Sequence, residues 1–153
     1  GGPGRPKYAF HLTQAGEACF PRMYSDLTNE LLEYVESEDP ELVGRIFERR
    51  SRRRLEMARE RLRGKAFADR LAELTRQLDE DGYLADVQKR PDGSYVITEH
   101  NCAVLGVAQR YGHACASEID FLRAALPDAE IERTSHIVSG AFACTYAIRP
   151  RPA

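Results

Sequence analysis

The chain has 153 residues, with 22 Lys and Arg against 24 Asp and Glu, a formal charge of −2, 42% hydrophobic and 30% charged residues. That composition describes a surface-rich chain with enough apolar material for one domain, or one and a fraction. No run of eighteen apolar residues exists, which excludes a membrane-spanning helix, and the first residues lack the apolar region of a signal peptide. The expected compartment is therefore the cytoplasm, with reduced thiols.

Gly1-Gly2-Pro3-Gly4-Arg5-Pro6-Lys7 is turn-forming and basic, and Tyr8-Ala9-Phe10-His11-Leu12-Thr13 alternates as a strand does. It reads as the second half of a hairpin whose first half belongs to a longer parent, and no initiator methionine precedes it. Thr13 suits the cap of a helix from Gln14, with Glu17 in its first turn and Pro21 interrupting it. Helical spacing then runs over 23–36, through Leu27, Leu31, Leu32, Tyr34 and Val35. Asp39-Pro40-Glu41 is a helix start signal, an N-cap acid before proline, and it opens a helix over 40–63 that Gly64 ends. A third amphipathic helix covers 65–80, with Phe67, Leu71, Leu74 and Leu78 on one stripe and Asp81-Gly82 closing it.

The texture changes at Tyr83. Strands are expected over 83–88 and 94–98, joined by the turn residues Pro91-Asp92-Gly93. A short helix follows over 103–110, broken at Gly112, then a helix over 116–126 ended by Pro127. Two more strands, 131–138 and 142–148, meet at Ser139-Gly140, and the tail from Arg149 is expected to be loose. The fold class is α+β: a helical first half, then a compact β-β-α-α-β-β unit.

Four cysteines are too few for a disulfide scaffold. Cys102, Cys115 and Cys144 fall in the last third, separated by twelve and twenty-eight residues. Thiols in a cytosolic chain point to metal or redox chemistry, and a thiolate is a soft ligand for iron–sulfur clusters, zinc or copper(I). Cys102 is expected to open a helix, where the N-terminus favours a thiolate, Cys115 to lie in the break between two helices, and Cys144 mid-strand. Convergence requires the last strand to pair beside the Cys102 loop. Simple packing of these cysteines is the alternative, and Cys19 reads as a core residue. Glu99, His100 and His113 lie near in sequence and are candidates for a fourth ligand. His136 sits in a strand and could face either way, and His11 reads as structural or exposed. No phosphate loop, nucleophile elbow or H-E-x-x-H motif exists, so no enzymatic activity is expected. The run Arg49-Arg50-Ser51-Arg52-Arg53-Arg54, interleaved with Glu48, Glu56 and Glu60, reads as a solvated, salt-bridged helix face before it reads as a phosphate-binding one.

The segments Glu99-His100-Asn101-Cys102, Cys115, Glu132-Arg133-Thr134-Ser135-His136-Ile137-Val138-Ser139-Gly140-Ala141 and Cys144-Thr145-Tyr146-Ala147-Ile148 together resemble the C-terminal domain of SufR-type regulators. These are iron–sulfur-sensing repressors of the suf cluster-assembly operon, related to DeoR/ArsR-like winged-helix proteins. The stretch from Gly4 to Pro21 resembles the end of that family's wing and the helix after it. The resemblance implies three regions: 1–20 as the end of the DNA-binding domain, with Arg5 and Lys7 as DNA contacts; 21–82 as a helical dimerisation region; and 83–153 as the sensing domain. It implies a cytoplasmic homodimer that binds operator DNA through a mostly absent N-terminal domain. It also implies a [4Fe-4S] or [2Fe-2S] cluster on Cys102, Cys115 and Cys144. One branch of the family has a fourth cysteine between the last two, and Ala129 stands near that place here. A zinc or thiol-redox sensor, or a metal-free ligand-binding or dimerising module, uses the same residues differently.

Overall fold

The computed structural model describes residues 23–152. The first strand and helix expected before Pro21, with Arg5, Lys7, His11 and Cys19, lie outside the described residues. Among the described residues, five helices and a four-stranded antiparallel sheet make an α+β fold. In chain order they are α1 (Tyr24–Glu38), α2 (Leu42–Leu62), α3 (Phe67–Glu80), β1 (Ala85–Lys89), β2 (Tyr95–Glu99), α4 (Leu105–Ala108), α5 (His113–Ala125), β3 (Ala129–Ser135), a 3₁₀ turn (Ile137–Ser139) and β4 (Cys144–Pro150). The sheet order is β1-β2-β4-β3. None of the described helices is long and apolar enough to cross a membrane.

Local chemistry sets most element ends. Asp39 Oδ1 accepts the Glu41 N–H at 3.0 Å, as a start signal should, but Pro40 and Glu41 form a turn and α2 begins at Leu42. Gly82, at φ 92°, ends α3: its N–H donates to the Asp79 carbonyl at 2.9 Å and the Tyr83 N–H to the Leu78 carbonyl at 3.1 Å. That pair of bonds is a Schellman motif, which needs a left-handed residue where glycine stands. Gly93, at φ 83°, plays the same part in the β1–β2 hairpin.

The β2–β4 ladder pairs Glu99 with Cys144, Ile97 with Tyr146 and Tyr95 with Ile148. Side chains directly opposite in a ladder share a face, and this face carries the buried residues of β4. It packs against α3 and α5 through Leu71, Leu74, Leu78, Phe121 and Leu122. Each such buried side chain contributes about 1.5–3 kcal/mol of burial. A smaller cluster of Leu32, Val43, Phe47, Ala108, Tyr111 and Ala114 joins α1, α2, α4 and α5. Cys144 belongs to the large core, whereas Cys102 and Cys115 pack on the small one. The cysteines therefore sit at the seam between the two.

Three expectations are corrected here. Arg54 does not lie on a solvated face: it is 6% exposed, with Nη1 on Glu118 Oε2 at 2.6 Å, Nη2 on Asp81 Oδ2 at 2.9 Å, and its guanidinium 4.3 Å from the Phe121 ring centroid. The strand expected to run through Val138 stops at Ser135 and turns. The tail is held, with Pro150 paired to Ala129 and the Arg151 N–H on the Asp128 carbonyl at 2.8 Å.

Candidate metal centre

Pairing of β4 beside β2 brings the last strand next to the Cys102 loop, the condition for convergence. Asn101 fixes that loop. Its N–H donates to the Tyr83 carbonyl at 3.0 Å and its Nδ2 to the Gly82 carbonyl at 2.7 Å. The next turn, at Leu84, holds the single positive φ (49°) of a non-glycine among the described residues, and its carbonyl takes the His100 N–H. Cys102 thus follows a clamped segment. It does not open a helix: α4 starts three residues later and is four residues long. Cys115 takes the place expected of Cys102. It lies in the first turn of the thirteen-residue α5, not in a break, where the helix N-terminus favours a thiolate. Cys144 opens β4 and its Sγ accepts the Ile137 N–H at 3.3 Å.

The three cysteines line one small cavity of ≈ 20 Å³, together with Tyr83, Glu99, Glu118, Arg133, His136 and Tyr146. A space of this size holds about one water or one ion. Among the described residues, no three His, Cys, Asp or Glu side chains already stand at metal-binding positions. Burial raises all three thiols above their ordinary value. Cys115 is raised further by Cys102 and Cys144, with Arg133 acting against it. Cys144 and Cys102 feel Glu99 in the same upward sense, while the Ile137 N–H lowers Cys144. Burial thus favours the protonated thiols, and a metal binding there would have to displace those protons.

Beneath the thiols lies a buried polar layer. Glu99, 2% exposed, accepts from the Tyr146 hydroxyl at 3.3 Å through Oε2, and its Oε1 has no partner. Burial and the neighbouring Glu118 charge push its carboxyl well above the ordinary range. Glu118, one turn beyond Cys115, takes Arg54 and the Tyr83 hydroxyl on Oε2 and leaves Oε1 unpartnered. Arg133 lies over the Tyr146 ring and donates to the Cys115 carbonyl. Orphaned buried acceptors are costly, about 1–3 kcal/mol each. Two such atoms, Glu99 Oε1 and Glu118 Oε1, belong to residues that line the same cavity as the three thiols.

Of the expected fourth ligands, Glu99 lines the cavity and the histidines at 100 and 113 do not. His100 is exposed, with Nε2 at 2.5 Å from Asp86 Oδ2. His113 stacks on Phe47, ring centroids 6.3 Å apart, beside Gly44. His136 is the histidine that reaches the cysteines, its Nε2 3.2 Å from Cys115 Sγ. Its direction was not readable from alternation, because the β3–β4 register shifts between Arg133 and Ser135. Such an irregularity breaks the two-residue period that assigns faces. Glu118 carried a signal: three residues after Cys115 on a helix is the same face.

Cys102 also lines a second space, a groove of ≈ 540 Å³ between α1, α2 and the segment 102–107, which runs from the Cys102 loop into α4, walled by Leu32, Ile46 and Phe47. It is the one cysteine of the three common to both spaces. Compared with protein-family models and with curated proteins, the chain matches none.

Proposed function

We propose that this chain is the sensing part of an iron–sulfur-dependent transcriptional repressor of suf type, a cytoplasmic, non-enzymatic regulator in which Cys102, Cys115 and Cys144 ligate the cluster. The observation that carries the reading is that three thiols, from a loop, a helix start and a strand start, line one cavity. The donor set suits a soft metal centre. When bound, such a cluster supplies thiolate–iron bonds sensitive to oxidant and to iron supply. Cys115 then fixes the start of α5, Cys144 the start of β4, and Cys102 the loop that walls the groove against α1. A difference in the free energy of those contacts between loaded and empty states is what a switch requires. Homodimerisation and operator binding complete the proposal. The exposed Leu27, Leu31 and Tyr34 of α1 offer an apolar stripe suited to helix packing.

Anaerobic reconstitution with iron and sulfide, followed by visible absorption and counting of both elements, tests the reading. The expected result is a coloured protein whose iron falls sharply in each of Cys102→Ser, Cys115→Ser and Cys144→Ser. Full iron content in all three variants would sink it. A second reading, a single zinc ion on the same thiols, is favoured by the ≈ 20 Å³ cavity and by the imidazole at Cys115, which together fit a Cys₃His set. Zinc without sulfide or colour in protein purified anaerobically selects it.

A further inference from the structure

We propose that His136 is the fourth protein ligand of the centre formed by Cys102, Cys115 and Cys144, binding through Nε2; the inference rests on the cysteine reading above and names the group that completes it. Its position in the cavity wall and two side-chain contacts place the residue. His136 lines the same cavity as the cysteines. Its Nε2 stands 3.2 Å from Cys115 Sγ. Its other nitrogen, Nδ1, stands 3.2 Å from Ser139 Oγ. Metal-bound histidines commonly donate the second ring N–H to an oxygen, which fixes the ring and directs the free lone pair at the metal. Ser139 is placed to accept that bond, leaving the Nε2 lone pair facing Cys115.

The backbone around His136 serves the same cavity. The residue is extended (φ −145°, ψ 119°) just before the 3₁₀ turn. The next residue gives its N–H to Cys144 Sγ. Ser135 Oγ bonds the Ala143 carbonyl at 2.7 Å, closing the turn that leads into Cys144. One short segment thus contacts two of the three sulfurs. A tetrahedral zinc-like ion with about 2.3 Å to sulfur and about 2.05 Å to nitrogen separates the two ligand atoms by roughly 3.6 Å. The observed 3.2 Å therefore needs only a few tenths of an ångström of opening, which a rotamer adjustment supplies. In the metal-free state the same approach is a hydrogen bond between Nε2 and Cys115 Sγ. The competing group is Glu99, opposite Cys144 with a free Oε1. A carboxylate is the harder ligand and matches a thiolate-rich centre less well than imidazole.

The test uses the full chain, metal-free and reduced under anaerobic conditions, titrated with Co²⁺ alone and separately reconstituted with iron and sulfide. Wild type, His136→Ala, Glu99→Gln and Cys115→Ser are compared, with circular dichroism to verify folding. The expected result is imidazole-nitrogen hyperfine coupling in pulsed EPR of the Co²⁺-loaded and of the dithionite-reduced iron–sulfur wild type, lost in His136→Ala. Co²⁺ affinity should fall by at least about 10-fold in that variant, with altered ligand-field bands. Glu99→Gln should keep the coupling. If Cys115→Ser weakens Co²⁺ binding while folded His136→Ala keeps both affinity and coupling, the cysteine reading stands and the His136 assignment is overturned. Loss of affinity in Glu99→Gln alone overturns it in favour of the carboxylate. A folded wild type that takes neither cobalt nor iron removes the cysteine reading and this one with it.

Discussion

Arg54→Met tests the buried charge layer under the cysteines. Arg54 and Glu118 are each almost wholly buried, and Nη1 meets Oε2 at 2.6 Å. Burial works against the guanidinium, but Glu118, Tyr83 and Asp81 together outweigh it, so the positive charge is held more firmly than in water. Removing it leaves a carboxylate in the core whose Oε1 already lacks a partner. Breaking a buried pair from one side costs about 3–5 kcal/mol. Loss of the ring contacts with Phe121 and Tyr83, at 4.3 and 5.8 Å from the centroids, adds about 0.5–2 kcal/mol, offset in part by the packing of methionine. Against a typical total of about 5–15 kcal/mol, that is a large fraction, and it lowers Tm by on the order of 10 °C. Asp81 keeps more than a third of its side chain in water, so Asp81→Asn should cost under about 1 kcal/mol. In Arg54→Met/Glu118→Gln the orphaned charge is gone, and the double variant should be more stable than Arg54→Met alone. Urea unfolding of wild type, Arg54→Met, Glu118→Gln and the double variant gives the coupling energy. A cost below about 1 kcal/mol for Arg54→Met, or single costs that simply add, would refute a desolvated pair.

Two further outcomes follow from neighbouring residues. Glu99 has a raised carboxyl in the folded state, so the native protein holds a proton that the unfolded chain releases. Its contribution is fully present below the unfolded value near 4.5 and is lost as pH rises through the folded value. Glu99→Gln should flatten that decline, so its stability relative to wild type improves from acid to mildly alkaline pH in urea titrations; parallel curves would contradict the linkage. Gly106 is the point where α4 touches α1: a Cβ there would lie 2.7 Å from Ser25 Cβ, and its carbonyl accepts Asn29 Nδ2 at 2.9 Å. Gly106→Ala should cost about 1–3 kcal/mol and speed amide exchange in α1 while the sheet stays protected. Unchanged exchange in α1 would show that the helix is not seated by this contact.

Local chemistry was legible wherever a single residue type dictates backbone. Gly82 and Gly93 mark a helix end and a hairpin because left-handed φ values are needed there, and both elements end within a residue or two of their expected places. The cysteine triad was legible as a possibility because the sheet order it needed is one of few that four antiparallel strands allow. Side-chain direction was not legible where periodicity breaks. His136 follows the register shift in β3, so alternation gives no face for it. Arg54 sits in a run of arginines that all look solvated, and only the placement of α5 shows that one of them meets Glu118 across 64 residues of chain. The start of α5 was read three residues late, because Gly112 suggests a break. In the fold it is the residue that caps the helix carrying Cys115.

The arrangement of charge beneath the thiols bears on how the proposed centre would form at the seam of two cores. Three thiols converging in apolar surroundings resist ionisation, and two nearby carboxylates would make it harder. Arg54 neutralises Glu118, burial keeps the proton on Glu99, and Arg133 faces Cys115 with a charge that favours its thiolate. With Glu99 protonated, the layer of Arg54, Arg133, Glu99 and Glu118 presents one net positive charge to the sulfurs; with Glu99 ionised it presents none. The same carboxyl, when ionised, acts on Cys102 and Cys144 in the direction that disfavours their thiolates. Cys115 and Glu118 stand one turn apart on α5, and Glu118 is bound to α2 through Arg54. In the proposed centre, any displacement of α5 on loading would be carried into α2 or would separate Arg54 from Glu118, leaving a buried charge uncompensated at a cost of about 3–5 kcal/mol. That ion pair joins the cysteine-bearing α5 to the helical half of the chain.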